Sequence, residues 1–392
     1  MRYDGYTSFS YLTPGRDYRA YDLAPELNRV APYDLGLSED QAARAERLLR
    51  ESMVISLHDH PQVYPADLRD GVDYAHRGRT PLAYLGLSRS GLDAVFDNLA
   101  GPTGCITSHY GWTWTDVLHD IGMRLADVAH QDYVTIARTV ADLHAARADG
   151  RLALVLGLEA ATPIENNIDR LDLLYGFGVR QLGVVYNEAN LLGGGLAEPR
   201  DGGLTRFGRR AVERMNKLGM AIDLSHAGDR TSMDAIAASE RPVLITHAGA
   251  RAVWPTERMK PDHVLRALAE SGGLLGIEAA PHSTLSPAHP RHSIESVMDH
   301  FTYCVELMGI EHVTFGPDTL YGDHVAVHHA FAHLFAASKH PTVERVPYCA
   351  GMENPTENFR NVIGWLVKHG YRDDEIAMVV GGNTLRVLNQ TW

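Results

Sequence analysis

The sequence predicts a (β/α)8 barrel, and the prediction depends on the number and spacing of its apolar runs. Eight runs are aliphatic or β-branched and too short for a helix, as is typical of strands buried on both faces. Amphipathic stretches separate many of them, and eight strands alternating with helices are the pattern of this barrel. The runs are Met53–Leu57, Gly104–Thr107, Leu152–Leu158, Gln181–Val185, Met220–Leu224, Pro242–Thr246, Gly273–Ile277 and His312–Phe315.

A doubly wound open sheet is the alternative α/β architecture. Five or six strands would fit that sheet better than eight, and neither a GxGxxG nor a GKS loop is present. The triplet Gly193–Gly195 is interpreted as a flexible loop. A chain of 392 residues is long for an average domain, but the barrel reaches this size with insertions.

Helices are predicted from apolar periodicity and capping residues. Leu37–Ser52 has Ser38 in the position of an N-cap and carboxylates in its first turn. Residues 1–36 lack periodicity and are interpreted as an N-terminal arm, which leaves residues 37–392 as a single barrel domain. Further helical stretches are Val134–Ala148, Leu204–Leu218, Pro261–Ser271, Ser293–Met308, Glu357–Lys368 and Asp373–Val380.

Composition excludes several classes of function. Hydrophobic residues make up 45% of the chain, enough for a large core, and the net charge of −13 makes nucleic acid a poor partner. The three cysteines are far apart and form no CxxC, which argues against a disulfide framework or a thiolate zinc site. No secretory signal and no run of eighteen apolar residues appears, so we expect a cytoplasmic protein without membrane contact.

Polar residues follow most of the predicted strands. In this barrel the active site lies at the carboxyl ends of the strands, so side chains there meet at one mouth. A single histidine at a strand end is more often a hydrogen-bonded core or surface residue than a metal ligand. Several imidazoles and carboxylates at one mouth instead indicate a metal site. The strand ends are His58-Asp59-His60, Glu159, Tyr186-Asn187, Ser225-His226, Thr246-His247 and Gly316-Pro317-Asp318.

The first of these strand ends has the spacing of a chelating pair. His58 and His60 are two residues apart, so the pleat of a strand directs both to one side and Asp59 to the other. With Glu159 and the histidines that follow two later strands, they make five nitrogen and oxygen ligands. Five such ligands can hold two zinc-like ions if one carboxylate bridges, and Glu159 is the one carboxylate among them. The five are His58, His60, Glu159, His226 and His247, with Asp318 as a candidate proton shuttle.

Two other groups of aromatic and imidazole side chains are considered. One follows the second predicted strand and either lines the mouth as an aromatic wall or packs in the core; it consists of His109, Tyr110, Trp112 and Trp114. The other follows Asp318 and is expected at the surface or around the site, without binding metal; it consists of His324, His328 and His329.

The segment Gly203–Ala250 carries a long ordered succession, GLT, NKLGM, DLSH, P and THA. It resembles the membrane (renal-type) dipeptidase family, peptidase family M19, of the amidohydrolase superfamily. The resemblance runs from about residue 50 to the C-terminus and is weakest between 61 and 150. Other matching stretches are Leu158-Glu159, Arg258–Asp262, Gly316–Asp318 and Gly381–Leu388.

The resemblance implies a barrel of the metal-dependent hydrolase type with a binuclear zinc site. One zinc would use His58, position 60 and Glu159, and the other Glu159, His226 and His247. It also implies that Arg258, through its planar bidentate donors, grips a substrate carboxylate. Asp318 corresponds to the carboxylate near the catalytic water and the substrate amine.

This chain departs from the family pattern at three places. The family usually has H-x-D on the first strand, so His60 makes the site one unit more positive, which is expected to make the bridging water more acidic. Tyr186 stands where the family has a histidine before Asn187; a phenol can donate to an oxyanion but does not become a cation near neutral pH. The GxDfDG motif keeps Asp318 and loses its second aspartate.

The expected function is therefore zinc-dependent hydrolysis of dipeptide-like amides, although other divalent ions also suit such ligands. A hydroxide bridging two ions would be the nucleophile, Asp318 would carry the proton, and Tyr186 and Asn187 would lie on the substrate side. Two alternatives stay open: the same site acting on a lactam, modified peptide or other carboxylated metabolite, and a family member without catalysis. The expected partners are a small carboxylated substrate and, by analogy, a second copy in a homodimer.

Overall fold

The computed structural model describes residues 3–99, 112–331 and 347–392, and the sheet at its centre is parallel throughout. The strands are β1 (Ile55–Val63), β2 (Ala94–Leu99), β3 (Val134–Ile136), β4 (Leu152–Leu158), β5 (Val179–Gly183), β6 (Ala221–Asp223), β7 (Leu244–Ala248), β8 (Leu274–Ile277), β9 (Val313–Phe315) and β10 (Leu320–Tyr321).

The sheet closes on itself. Its order is β10-β1-β2-β4-β5-β6-β7-β8-β9, with β3 paired to the start of β4. Only residues 316–319 separate β9 from β10, and they bond to β1 through Asp318 N donating to His58 O at 3.1 Å and His60 N donating to Thr319 O at 2.9 Å. The segment from β9 to β10 thus acts as one strand between β8 and β1, and the predicted (β/α)8 barrel is confirmed.

Helices surround the barrel and follow most of its strands. Ser38 caps the first helix through a reciprocal pair of hydrogen bonds with Gln41, as its sequence position predicts. The helices are α1 (Glu39–Glu51), α2 (Gly71–Arg77), α3 (Tyr84–Ser90), α4 (Trp114–Val128), α5 (Val140–Ala148), α6 (Arg170–Phe177), α7 (Arg206–Leu218), α8 (Asp229–Ala238), α9 (Asp262–Glu270), α10 (Ile294–Met308), α11 (His324–Phe331), α12 (Asn358–Lys368), α13 (Asp373–Ala377) and α14 (Asn383–Thr391). Among the described residues, no helix is both long and apolar enough to cross a membrane.

Seven of the eight predicted runs overlap barrel strands. The predicted run Gly104–Thr107 lies outside the described residues, whereas β2 occupies the second position in the barrel. The sequence AVFDNL of β2 was not predicted as a strand, and it carries the charged residue Asp97 in its middle. Asp97 is buried there and accepts a hydrogen bond of 2.7 Å from Nε of Arg124, which is equally buried. A partner that is distant in the sequence therefore makes this strand possible.

Three further boundaries differ from the predictions. β1 continues to Val63 instead of ending at Leu57, because residues 316–319 and β10 supply partners for its second half. The predicted helix Val134–Ala148 is the short strand β3 followed by α5, because its first residues pair with β4. The C-terminal helix α14 was not predicted; it packs against β8 and β9 and covers the lower end of the barrel core.

Two glycines allow the strands around β7 to approach closely. A Cβ on Gly276 would lie 2.0 Å from the carbonyl oxygen of Thr246, and a Cβ on Gly316 would lie 2.1 Å from the same atom. Neither position can hold a side chain without moving backbone. The backbone of β8 and the backbone after β9 therefore lie directly against the carbonyl of Thr246, the residue before His247.

The N-terminal segment is attached to the barrel through one buried carboxylate. Asp127, near the end of α4, accepts hydrogen bonds from Tyr6 Oη at 2.8 Å, Ser8 Oγ at 2.7 Å and Phe9 N at 2.8 Å. A fourth donor, Tyr84 Oη of α3, lies at 3.2 Å. Four donors on one fully buried side chain make Asp127 the anchor of this segment.

Replacing Asp127 by alanine should loosen the segment and destabilise the whole chain. The substitution leaves four donors without their acceptor, so we expect a loss of about 3 kcal/mol in the free energy of unfolding. Urea unfolding measures the loss, and limited proteolysis should show faster cleavage before α1. Asp132→Ala, at an exposed position nearby, is the control and should change neither. Equal stability of the two variants would contradict the anchoring role.

Candidate metal centre

Six buried side chains converge at the carboxyl ends of the barrel strands. Two come from β1, one follows β4 directly, one follows β6 by three residues, one lies in β7 and one lies between β9 and β10. Parallel strands end on one side of a barrel, which is why residues so distant in sequence meet. They are His58, His60, Glu159, His226, His247 and Asp318.

One half of the cluster contains Glu159 and the two later histidines. His226 Nε2 lies 3.0 Å from Glu159 Oε1 and 3.0 Å from His247 Nε2, and His247 Nε2 lies 3.6 Å from the same carboxylate oxygen. All three are buried. Two imidazole nitrogens and a carboxylate oxygen at these separations form a three-ligand group suited to a divalent ion.

The other half contains the pair from β1. His60 Nε2 lies 3.9 Å from Glu159 Oε2, so the two oxygens of Glu159 face the two halves of the cluster. His58 Nε2 and His60 Nε2 lie 3.3 Å and 3.2 Å from Asp318 Oδ1. Asp318 therefore contacts both histidines of β1, and it forms a ligand group with His58 and His247.

Outer hydrogen bonds orient the histidine rings. His60 Nδ1 lies 2.9 Å from the Asn98 carbonyl, which can only accept, so this nitrogen carries the proton. His226 Nδ1 contacts Asn187 Oδ1 at 2.8 Å in the same manner. Each ring then directs the lone pair of Nε2 into the cluster, the arrangement that metal-binding histidines show.

The ring of His247 is oriented by a longer network. Its Nδ1 lies 2.9 Å from Thr246 Oγ1, and that hydroxyl donates to Asp223 Oδ2 at 2.9 Å. Because the hydroxyl proton goes to Asp223, Thr246 accepts from His247 Nδ1. Ser225 Oγ donates to the other oxygen of Asp223 at 2.6 Å. Asp223 thus fixes the tautomer of His247 through the hydroxyl of Thr246.

The polar atoms in the cluster fit a cation. Glu159 Oε2 is buried and has no hydrogen-bond partner among the described residues, and His58 Nε2 is buried with Asp318 Oδ1 at 3.3 Å. The lone pairs of His226 Nε2 and His247 Nε2 face each other, and two acceptors cannot satisfy one another. A divalent ion would satisfy these atoms together, because it accepts lone pairs from nitrogen and oxygen alike.

Burial controls the protonation of these groups. It lowers the pKa of His226 and His247 well below the ordinary value, which keeps both rings in the neutral, metal-binding form. It raises the pKa of Glu159 to about 8. Burial also opposes a charge on His60, but Asp318 and Glu159 outweigh it and raise the pKa of that ring to about 9. A bound cation favours the ionised carboxylate and the neutral imidazole.

Asp318 has an unusual backbone conformation. Its φ of 56° is in the left-handed region, which few residues other than glycine adopt. The backbone on both sides is held by hydrogen bonds to β1, at His58 O and His60 N. Strain that the surroundings impose in this way is concentrated at functional sites, which agrees with the position of Asp318 in the cluster.

Arg258 lies beside the cluster and is already paired. Its Nη2 donates to the His247 carbonyl at 2.9 Å and to Glu278 Oε2, and its Nη1 donates to the Ser225 carbonyl at 3.3 Å. Glu278 directly follows β8 and is fully buried. Burial raises the pKa of Glu278 to about 7, against the opposing effect of Arg258.

Tyr186 and Asn187 contact the same histidine from two directions. The ring of Tyr186 stacks on His226, with centroids 4.0 Å apart and planes at 24°. Burial, with Glu159 next, raises the pKa of Tyr186 well above its ordinary value, so the phenol stays a donor. The amide oxygen of Asn187 is used by His226, so Asn187 positions a ring in this structure, and its contact with substrate stays a prediction.

The remaining aromatic candidates divide between the core and the region around the cluster. Trp112 is buried in the main apolar core, and Trp114 stacks under Arg170 at 4.9 Å, so packing explains both. His324 is buried with its ring centroid 4.7 Å from that of His328. His109 and Tyr110 lie outside the described residues.

Glu278 is the residue at this mouth that the sequence analysis missed. It directly follows the seventh predicted strand, Gly273–Ile277, so its position at a strand end is visible in the sequence. Its pairing with Arg258 is visible only in three dimensions.

Comparison with known protein families gives a match over most of the chain. The sequence profile described as membrane dipeptidase (peptidase family M19) matches residues 42–334. Among curated proteins, a dipeptidase of Aspergillus oryzae is 30% identical over 261 residues, covering 66% of this chain and 56% of that protein. A dipeptidase of Clonostachys rogersoniana is 30% identical over 278 residues, covering 70% of this chain and 63% of that protein. The chain thus spans less than two thirds of the length of these relatives.

Solved structures with the same fold include an amidohydrolase of Pseudomonas aeruginosa, with a TM-score of 0.73, 24% identity and coverage of 89% of this chain and 99% of that one. A metallopeptidase of Rhodobacter sphaeroides, liganded with a phosphinate mimic of the dipeptide L-Ala-D-Ala, has a TM-score of 0.65, 20% identity and coverage of 87% and 100%. At such identities the likeness concerns the fold.

Replacing Thr246 by valine should weaken metal binding without removing a ligand. The change keeps the shape of the side chain but breaks the link between Asp223 and His247 Nδ1, and loss of such an outer partner typically costs about 10–100-fold in affinity. Competition with a chromogenic chelator measures the affinity. Thr256→Val is the control, because its buried hydroxyl has no hydrogen-bond partner among the described residues. Equal affinities in both variants would show that Thr246 does not support the metal site.

Proposed function

Because the chain belongs to the membrane dipeptidase family, peptidase family M19, we propose that it is a metal-dependent hydrolase of dipeptide-like amide bonds. The observation that carries the proposal is the meeting of His226 Nε2, His247 Nε2 and Glu159 Oε1 within 3.6 Å of one another, in a form that needs a cation. Dipeptidases among the relatives support the type of substrate.

We propose that the cluster holds two divalent ions, with zinc as the first choice. His58, His60 and Glu159 would bind one, and Glu159, His226 and His247 the other. The support is that the two oxygens of Glu159 face different halves of the cluster, as a bridging carboxylate requires. Nitrogen and carboxylate ligands suit zinc, and other divalent ions also accept them. When bound, the ions would activate a water and polarise the scissile carbonyl.

We propose that Asp318 moves the proton. Burial opposes its charge, but His247, His58 and His60 outweigh that effect and hold its pKa well below the ordinary value, so Asp318 is ionised. In the proposed reaction Asp318 takes the proton of the attacking water and delivers it to the nitrogen of the leaving amine as the C–N bond breaks. Once the amine has received the proton, Asp318 is again a carboxylate and can act in the next cycle.

The substrate-facing roles are assigned to Tyr186 and Arg258. The hydroxyl of Tyr186 would donate to the oxygen that becomes negative in the tetrahedral intermediate. Arg258 would hold the C-terminal end of the substrate, because it is the guanidinium next to the cluster, and its pairing with Glu278 bears on which group it accepts there. Asn187 holds His226 and, through it, the arrangement of the site.

A second candidate keeps the fold and the metal site but changes the substrate to a lactam or other amide. The pairing of Arg258 with Glu278 favours it, since an ordinary dipeptide carboxylate finds that arginine occupied. A family member without catalysis is the third hypothesis, and the absence of metal binding would support it. Assembly as a homodimer is proposed by analogy with the family.

Metal stoichiometry tests the binuclear site first. Protein purified without added metal or chelator should contain close to two divalent ions per chain by elemental mass spectrometry. His226→Ala should lower that number and reduce hydrolysis of L-Ala-D-Ala by more than about 100-fold, beyond what an outer partner typically costs. His263→Ala, at an exposed position on α9, is the control. A fully active His226→Ala enzyme would refute the metal assignment.

Replacing Tyr186 by phenylalanine separates catalysis from metal binding. If the phenol stabilises the oxyanion, kcat should fall about 10²–10³-fold while metal content and unfolding temperature stay unchanged. Tyr175→Phe, on α6 outside the barrel, is the matched control. An unchanged kcat would leave oxyanion stabilisation to the metal ions alone.

A further inference from the structure

The pairing of Arg258 with Glu278 restricts what the arginine can offer to a ligand. A guanidinium has five N–H donors and binds a carboxylate with two parallel hydrogen bonds, either from Nη1 and Nη2 or from Nε and Nη2. Both of these forks need one hydrogen of Nη2. In this structure one Nη2 hydrogen is directed to the His247 carbonyl at 2.9 Å and the other to Glu278 Oε2.

The donors that remain on Arg258 suit a single acceptor. Nη1 uses one hydrogen for the Ser225 carbonyl at 3.3 Å, which leaves its second hydrogen and the Nε hydrogen. These two do not form a fork, because they lie on different edges of the planar group. A neutral carbonyl oxygen needs one such donor, whereas a carboxylate would lose the paired geometry that makes its complex with arginine strong.

Glu278 also opposes a second carboxylate by its charge. It is fully buried, its Oε1 has no hydrogen-bond partner among the described residues, and its backbone is held by the Ala248 carbonyl at 3.1 Å and by Thr284 Oγ1 at 3.0 Å. Because the side chain of Glu278 is enclosed, its carboxylate stays beside Arg258. Repulsion between like charges is strong where water is excluded.

We propose that Glu278 determines the class of substrate, by occupying Arg258 so that the site takes dipeptide-like amides whose carboxyl end is uncharged, as in a C-terminal carboxamide. This proposal rests on the proposed hydrolytic function and adds to it that the C-terminal group of the substrate is uncharged. Glu278 is a positioning residue, because it acts on the substrate only through the guanidinium of Arg258.

Matched substrates test the inference on the metal-loaded protein. The probes are L-Ala-D-Ala and the same dipeptide with a C-terminal carboxamide, assayed at about pH 8 so that Glu278 is ionised. We expect the wild-type protein to prefer the carboxamide in kcat/KM by at least about tenfold, or about 1.4 kcal/mol. Glu278→Gln should shift the ratio toward the free acid by a similar factor, because it removes the charge and keeps the shape.

Two further variants separate this role from a structural one. Glu278→Asp keeps the charge and should keep the preference for the carboxamide. Glu257→Gln removes an exposed negative charge one residue before Arg258 and should leave the ratio unchanged. A wild-type preference for the free acid, or a ratio that Glu278→Gln does not move, would overturn the inference while hydrolysis itself stands.

Binding of the product end supplies a readout that does not depend on turnover. Isothermal titration of the metal-loaded protein with D-alaninamide and with D-alanine should show tighter binding of the amide, and Glu278→Gln should reverse the order. Tighter binding of D-alanine to the wild-type protein would overturn the inference even if neither dipeptide were hydrolysed. Failure to hydrolyse both dipeptides, with the amide still bound more tightly, would instead count against the proposed function alone.

Discussion

The hydrogen bonds between β1 and residues 316–319 close the barrel and complete its polar cluster in one step. His58 O and His60 N bond to this segment, while Asp59, which points to the other side of the strand, accepts from Thr319 N and Oγ1 at 2.9 Å each. Side chains alternate along β1, so Asp59 bonds to residues 316–319 on one side of the strand while His58 and His60 face into the barrel on the other. The same contact holds Asp318 at a φ of 56°, next to both rings.

Burying many hydrogen-bond acceptors is costly, which explains why hydrogen bonds hold the histidine rings of the cluster in fixed orientations. Three of the four inward lone pairs depend on an outward hydrogen bond: His60 to Asn98, His226 to Asn187 and His247 to Thr246. These bonds fix the tautomers before any cation arrives. The cation is then part of the stability of this region, because without it buried acceptors face each other.

The metal side and the substrate side of the mouth follow different constraints. On the metal side the histidines and Glu159 are held by β-strands and their hydrogen bonds, which leaves little freedom. On the substrate side Tyr186 stacks on His226 and Glu278 pairs with Arg258. A barrel separates the two naturally, because strand ends fix the reacting centre while the residues beyond them vary.

The sequence by itself determined the barrel, the five ligand candidates and the family, because apolar runs, the two-residue pleat and strand ends are local signals that parallel strands bring to one mouth. It did not reveal β2, whose Asp97 is tolerated only because Arg124 reaches it from α4. Tertiary structure alone also decided three other features: the length of β1, the contact of Asp318 with the histidines, and the pairing of Arg258 with Glu278. Each depends on a partner far away in the chain, and hydrophobic periodicity carries no record of which polar groups will meet once the barrel closes.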